Sequence, residues 1–192
     1  MKNNLFFILL ILLFNSGFSQ KLFNNNILDT LSIEEFGKKI ELENDIKKSE
    51  RLNNLLIDEV LRRKENKKVP KKIRLYYENA YLALLINKAY YDGSRGDYKK
   101  EIAVYFQILK NKNSSTNDNI LAYVYNAIGV SFSEIKDYEK SIFYCKRAIV
   151  YFKKVNNNTG IIAAYDNIGD FYTRLKQLDT AMFYLQKAEF YG

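Results

Sequence analysis

One pattern is written twice between residues 125 and 191, forty residues apart. Tyr125 is matched by Tyr165, Ile128-Gly129 by Ile168-Gly169, and Lys136 by Lys176. Phe143-Tyr144 is matched by Phe183-Tyr184, Ala148 by Ala188 and Tyr151 by Tyr191. Within the first copy, Tyr125, Ile128, Gly129 and Phe132 are spaced i, i+3, i+4, i+7, which puts them on one face of a helix. After Lys136-Asp137, the residues Tyr138, Ser141, Ile142, Cys145 and Ala148 repeat that spacing on a second helix. A fixed period of this length is the signature of supersecondary units that bury their apolar faces on neighbouring copies. Gly129 and Gly169 sit mid-helix, where glycine costs about 1 kcal/mol relative to alanine. That cost predicts a neighbouring helix packed too closely for a side chain.

The rest of the chain also reads as helices, and no strand pattern occurs. Ser32 with Glu35 forms a capping-box pattern that predicts a helix start at Ile33 and an end near residues 43–45. A stronger amphipathic helix follows, with Leu52, Leu55, Leu56, Val60 and Leu61 on one side; it must stop before Pro70. From Lys71 another helix places Ile73, Tyr76, Tyr77, Ala80 and Leu84 on one face and runs to about Tyr91. Asp92-Gly93-Ser94-Arg95-Gly96 is the expected turn, and the next helix shows Ile102, Tyr105 and Leu109 as its apolar side. Residues 111–118 and 155–160 are polar and read as loops. The expected organisation is an N-terminal helical segment over 20–70, then three repeats over 71–192. The repeats divide into 71–110, which is degenerate, 120–154 and 161–192.

These residues resemble the tetratricopeptide repeat family. Tyr125, Ile128-Gly129, Phe132, Ser141, Cys145 and Ala148 stand where that family has its aromatic, Leu-Gly, Tyr and small-residue positions. In the next copy they are Tyr165, Ile168-Gly169, Tyr172, Ala181, Leu185 and Ala188. At 71–110 the turn Gly96-Asp97-Tyr98 fits, but Glu101 and Ile108 replace small residues. The segment 32–66 has helical size without the motif, as a divergent capping hairpin would. The resemblance implies an all-α, tetratricopeptide-like solenoid of helical hairpins, a right-handed superhelix whose first helices line a groove for peptides or partner proteins. Groove positions would be Tyr123, Asn126, Val130, Ser133 and Glu134 in one unit. In the next they would be Ala163, Asp166, Asp170, Thr173 and Arg174, and Tyr81, Lys88 and Tyr91 in the degenerate one. The Lys/Asn set that clamps a terminal carboxylate in some members is not reproduced.

Asp166 and Asp170 lie one helical turn apart. The plain reading is a solvated face with Arg174 as partner; the functional one is recognition of a basic or amide-rich segment. The tyrosines and phenylalanines fall mostly on the periodic stripes and belong to the core, with Tyr123 and Tyr81 outside the seam as surface candidates. Cys145, the only cysteine, lies on an apolar stripe and reads as a buried, inert thiol. The Asn-x-Ser/Thr matches at Asn113 and Asn157 read as chance in so Asn-rich a chain.

Formal net charge is +8, and nearly all of the excess falls in residues 62–74, where eight basic residues face Glu65 alone. That segment reads as a solvated helix end, with peripheral contact to a membrane or an acidic partner as its functional alternative. Residues 1–19 read as a secretory signal: Lys2, an apolar run over 5–14, then Gly17 and Ser19 before a cut at Gln20. An uncleaved anchor is the other reading. No later segment has the length of a membrane span. Export to a bacterial periplasm or cell surface is therefore expected, and nucleic acid is not expected as a partner of this segment. With no His, an inert Cys and no phosphate loop, neither catalysis, a metal nor a cofactor is expected. The expected function is a protein- or peptide-binding scaffold. The alternative is the sensory N-terminal region of a longer signal-transduction protein, a histidine kinase or DNA-binding regulator truncated at residue 192. With no capping helix after the last repeat, that face is expected to dimerise or be covered by another protein.

Overall fold

The computed structural model describes residues 27–66, 68–112 and 116–192, which form eight helices and no strand. The expected signal over 1–19 and the Asn113 site lie outside the described residues. The helices are α1 (Ile27–Leu42), α2 (Ile46–Glu65), α3 (Lys71–Ser94), α4 (Tyr98–Asn111), α5 (Asp118–Glu134), α6 (Tyr138–Lys154), α7 (Asn158–Arg174) and α8 (Leu178–Tyr191). The chain divides into two compact units, Met1–Tyr91 and Asp92–Gly192, and the division falls inside the segment 71–110.

In the first unit α1 and α2 pack as a hairpin. The core draws Ile33 and Ile40 from α1, Leu56 and Val60 from α2, and Ile73, Tyr77, Ala80 and Leu84 from α3. Three expectations are corrected here. Helix α1 begins at Ile27, not Ile33, because a capping-box pair is only a local signature and does not stop a helix from starting upstream. On α2 the buried stripe is Ser49, Asn53, Leu56 and Val60, whereas Leu55 is exposed. Burial of the two polar residues is tolerated because each is hydrogen-bonded. Asn53 Nδ2 donates to the Leu84 carbonyl at 3.1 Å and its Oδ1 accepts from Asn87 Nδ2 at 3.1 Å. Ser49 Oγ lies 2.7 Å from the Tyr91 hydroxyl and donates to the Ile40 carbonyl. Third, α3 runs on through Asp92-Gly93-Ser94, and every side chain from Leu82 to Asn87 is buried rather than one face only. An all-round apolar sequence, Leu-Ala-Leu-Leu-Ile, is what such a helix requires.

The second unit stacks α4 to α8 in chain order. The connectors that precede α4, α6, α7 and α8 are short because each follows one device. Lys136, Asn156 and Lys176 adopt φ of 64°, 52° and 60°, and Gly96 adopts 80°. In each, the next residue starts the following helix: Asp97, Asp137 and Asn157 accept a backbone N–H of its first turn, while Gln177 has no such side-chain bond. At Lys136 the Lys136 N–H donates to the Ser133 carbonyl and the Asp137 N–H to the Phe132 carbonyl, the paired bonds of a Schellman closure. The loop expected over 155–160 is accordingly three residues, since Asn157 caps α7 and residues 158–160 are helical.

The period repeats in space as well as in sequence. The Phe132 and Tyr144 rings stack at 5.6 Å, and the Tyr172 and Tyr184 rings at 5.4 Å. Tyr125 meets Tyr151 at 5.3 Å as Tyr165 meets Tyr191 at 5.9 Å. A Cβ on Gly129 would lie 2.5 Å from Cys145 Sγ and 2.9 Å from the Ser141 carbonyl oxygen. On Gly169 it would lie 2.6 Å from Leu185 Cδ2. Gly129 is therefore required by close packing against the α6 backbone, whereas at Gly169 the close neighbour is the end of a side chain that can turn aside. Ile142 and Cys145 of α6 are buried in a cluster that includes Ile161, Ala164, Tyr165 and Ile168 of α7; at the same positions on α8, Met182 and Leu185 are exposed.

Candidate partner-binding face

The expected groove residues lie along α5 and α7, the first helices of the two hairpins, which pack side by side. Two of those on α5 are tied into the packing. Tyr123 is half-buried, its ring edge-on to Phe152 at 5.2 Å and its hydroxyl accepting from Asn157 Nδ2 at 3.3 Å. The expectation that Tyr123 lies outside the seam is corrected: Phe152 on α6 and Asn157, the cap of α7, cover that flank. Tyr81, the other surface candidate, packs against the first unit's core with Lys64 over its ring at 5.3 Å. Asn126 Oδ1 accepts from Asn167 Nδ2 at 3.2 Å and from the Cys145 thiol at 3.5 Å. Val130 is partly exposed, Ser133 Oγ donates to the Val130 carbonyl, and Glu134 accepts from the Tyr98 hydroxyl.

On α7 the equivalent row is more open. Ala163, Asp166, Asp170, Thr173 and Arg174 are all exposed. Arg174 Nε donates to Asp170 Oδ2 at 2.7 Å, the pairing that the plain reading of this helix required. Arg174 also bonds the Tyr138 hydroxyl, and the bonds to Asp170 and Tyr138 hold its guanidinium pKa above the ordinary value. Thr173 Oγ1 donates back to the Gly169 carbonyl. Asp166 has no side-chain partner among the described residues. The two carboxylates are thus unequal: Asp170 is neutralised along its helix, and Asp166 presents the uncompensated charge.

Asparagines 119, 157 and 167 were missed by sequence reasoning. Asn157 Nδ2 also donates to Asn119 Oδ1, while its own Oδ1 caps α7 by accepting from Gly160. With Asn126–Asn167, this makes two amide bridges between consecutive first helices. The available signal was the near-period spacing of Asn126 and Asn167, hidden in an Asn-rich composition. The same bonds occupy the nitrogen that a glycan on Asn157 would need.

The arginines of the basic segment are spent internally. Arg62 and Arg63 both bond Glu59, and these bonds, the Arg62 one foremost, hold its carboxyl at about 2. Arg74 donates to the Val69 carbonyl. Lys68, Lys71 and Lys72 are exposed. Cys145 is buried, and desolvation raises its thiol to about 12, so no thiolate is present at neutral pH. Among the described residues no helix is long and apolar enough to cross a membrane.

The tetratricopeptide repeat family matches residues 122–152 and 162–189, which are the hairpins α5–α6 and α7–α8. These two hairpins are tetratricopeptide repeats. A search of curated proteins returns no match to the chain. The repeats make it an all-α solenoid of helical hairpins and indicate a protein–protein interaction scaffold. Tetratricopeptide repeats are generally non-catalytic, in keeping with the side chains gathered on this face, which cap, bridge and pair.

Proposed function

We propose that the chain is a non-catalytic scaffold that holds a protein or peptide segment along the α5–α7 face. The observation that carries this is the uncompensated, exposed carboxylate of Asp166, set beside Ala163 and the amide bridge of Asn126 to Asn167. A basic or amide-bearing segment satisfies that combination: Asp166 accepts from a cation or an amide, and Ala163 leaves room above the helix. The test is selection from a displayed random-peptide library. Peptides enriched by the wild-type chain should carry Lys, Arg, Asn or Gln, and Asp166→Lys with Asp170→Lys should release them without loss of helicity. Enrichment indifferent to that double substitution would remove this face from the account.

The setting proposed is the cell envelope, supported by the signal-like sequence of residues 1–19. Fractionation of cells expressing the tagged chain tests it, and a purely cytosolic distribution would refute it. A second reading rests on the exposed Met182 and Leu185, whose counterparts on α6, Ile142 and Cys145, are buried. In it a second copy covers α8. Sedimentation velocity should then show a dimer that Met182→Glu with Leu185→Glu dissociates; a monomer at all concentrations sinks it.

A further inference from the structure

The backs of α6 and α8, away from the α5–α7 pair, carry a surface that peptide recognition on the first helices leaves unexplained. Phe143, Val150, Phe183 and Phe190 are 51, 54, 52 and 84% exposed, although helix faces turned to water are ordinarily polar. They recur at the forty-residue period, Phe143 with Phe183 and Val150 with Phe190, so two consecutive hairpins present the same row. Cations stand between them. Arg147 lies over the Phe143 ring at 5.5 Å and Lys187 over the Phe183 ring at 4.4 Å. Lys146 reaches from α6 to the Tyr184 ring at 5.5 Å, and Lys153 to the Tyr191 ring at 5.4 Å. All four rest on aromatic rings, and none is ion-paired among the described residues. From Lys140 to Lys154 the sequence holds five basic residues and no acidic one.

Exposed rings alternating with cations that lack counterions demand an occupant both apolar and anionic. Peptide helices are taken into concave grooves, where their side chains enter pockets. Here the rings protrude, Phe190 most of all, from the outer sides of successive helices. A flat anionic surface into which rings insert to a shallow depth, with cations at headgroup level, fits that relief. We propose that the α6–α8 outer face docks peripherally on an anionic phospholipid bilayer through Phe143, Phe183 and Phe190, with Arg147, Lys187 and Lys146 meeting the phosphates. The first-helix face is left free by this orientation.

The experiment is co-sedimentation of the full chain with vesicles of phosphatidylcholine alone and of equal parts phosphatidylcholine and phosphatidylserine. The wild type should partition more strongly onto the anionic vesicles, and added salt should erase the difference. Arg147→Glu with Lys187→Glu should lower the anionic partition coefficient by more than about tenfold, each cation near such a surface being worth several-fold. Phe143→Ser with Phe183→Ser should lower it about tenfold through lost insertion. Phe143, Arg147 and Phe183 are exposed and Lys187 is half-buried, and an unchanged circular dichroism melt controls for folding. Equal partition on the two vesicle types overturns the proposal and points to an acidic protein on this face. It is equally overturned if both outer-face pairs bind like wild type while Lys68→Glu with Lys71→Glu abolishes binding, which would locate the contact in the basic segment.

Discussion

Gly129→Ala isolates the packing that defines the repeat. In an open helix the added methyl would stabilise by about 1 kcal/mol, because alanine loses less backbone entropy than glycine. Here the new Cβ meets Cys145 Sγ at 2.5 Å, the Ser141 carbonyl oxygen at 2.9 Å and Cys145 N at 3.2 Å. Two of those three atoms are backbone of α6, so relief requires the helices to separate. Overpacking of this kind costs roughly 1–3 kcal/mol, and with immovable neighbours the upper part of that range applies. After the propensity gain the net loss should be about 1–2 kcal/mol, several degrees in melting temperature for a domain this size. Gly169→Ala is the internal control. Its nearest neighbours are Leu185 Cδ2 and Cγ at 2.6 and 2.7 Å, the far end of a partly exposed side chain, while the nearest backbone atom is 3.4 Å away. Leu185 can turn aside, so Gly169→Ala should be within about 0.5 kcal/mol of neutral. Cys145→Ala should rescue Gly129→Ala only in part, since the Ser141 oxygen remains. Urea denaturation followed by circular dichroism measures all four chains. Stabilisation of Gly129→Ala by about 1 kcal/mol would refute the close-approach explanation.

Asn53→Leu strands the Leu84 carbonyl and an Asn87 donor in the first unit's interior, and should cost about 2–4 kcal/mol in chemical denaturation. Lys136→Gly relieves a left-handed conformation that costs a non-glycine residue about 1 kcal/mol or more, and should raise the denaturation midpoint; a lowered midpoint would show that the lysine side chain matters there. Glu101 is half-buried beside Tyr105 and Ser131, and desolvation raises its pKa above the ordinary 4.5. A raised folded pKa favours the protonated form, so this group's penalty is absent below about pH 4.5 and grows as pH rises through the folded value. Glu101→Gln should therefore stabilise at pH 7 and make no difference near pH 4. Glu59 acts with the opposite sign: held at about 2, it stabilises above its unfolded 4.5 and loses that contribution as pH falls toward 2. Cys145 should resist thiol reagents at pH 8 until the chain is unfolded, as a labelling time course with and without denaturant would show.

The hairpins were legible because their evidence is local and repeated. Helical spacing, a forty-residue echo and one costly glycine per copy all follow from bonds and contacts within a few turns. The same signals named Cys145 as core and paired Asp170 with Arg174, since i, i+4 neighbours on a helix are fixed by its pitch. Misreadings arose wherever the deciding partner lay far along the chain. Helical spacing favours Leu55 over Asn53 and Ser49, because only Ile40, Leu84, Asn87 and Tyr91 make the burial of those two polar residues tolerable. Tyr123 reads as surface because its cover, Phe152 on α6 and the cap residue Asn157, comes from later in the chain.

For the candidate site, the sequence by itself determined which residues share the outward stripe of each first helix. Periodicity alone dictates that, whatever stacks beside it. Only the tertiary structure decided which of them remain available. Consecutive first helices spend Asn126 and Tyr123 on one another, Arg174 cancels Asp170, and Asp166 keeps its charge. It also separated the exposed rings of α6 and α8 from the buried ones, since a stripe in sequence does not reveal which of its flanks a neighbouring helix covers.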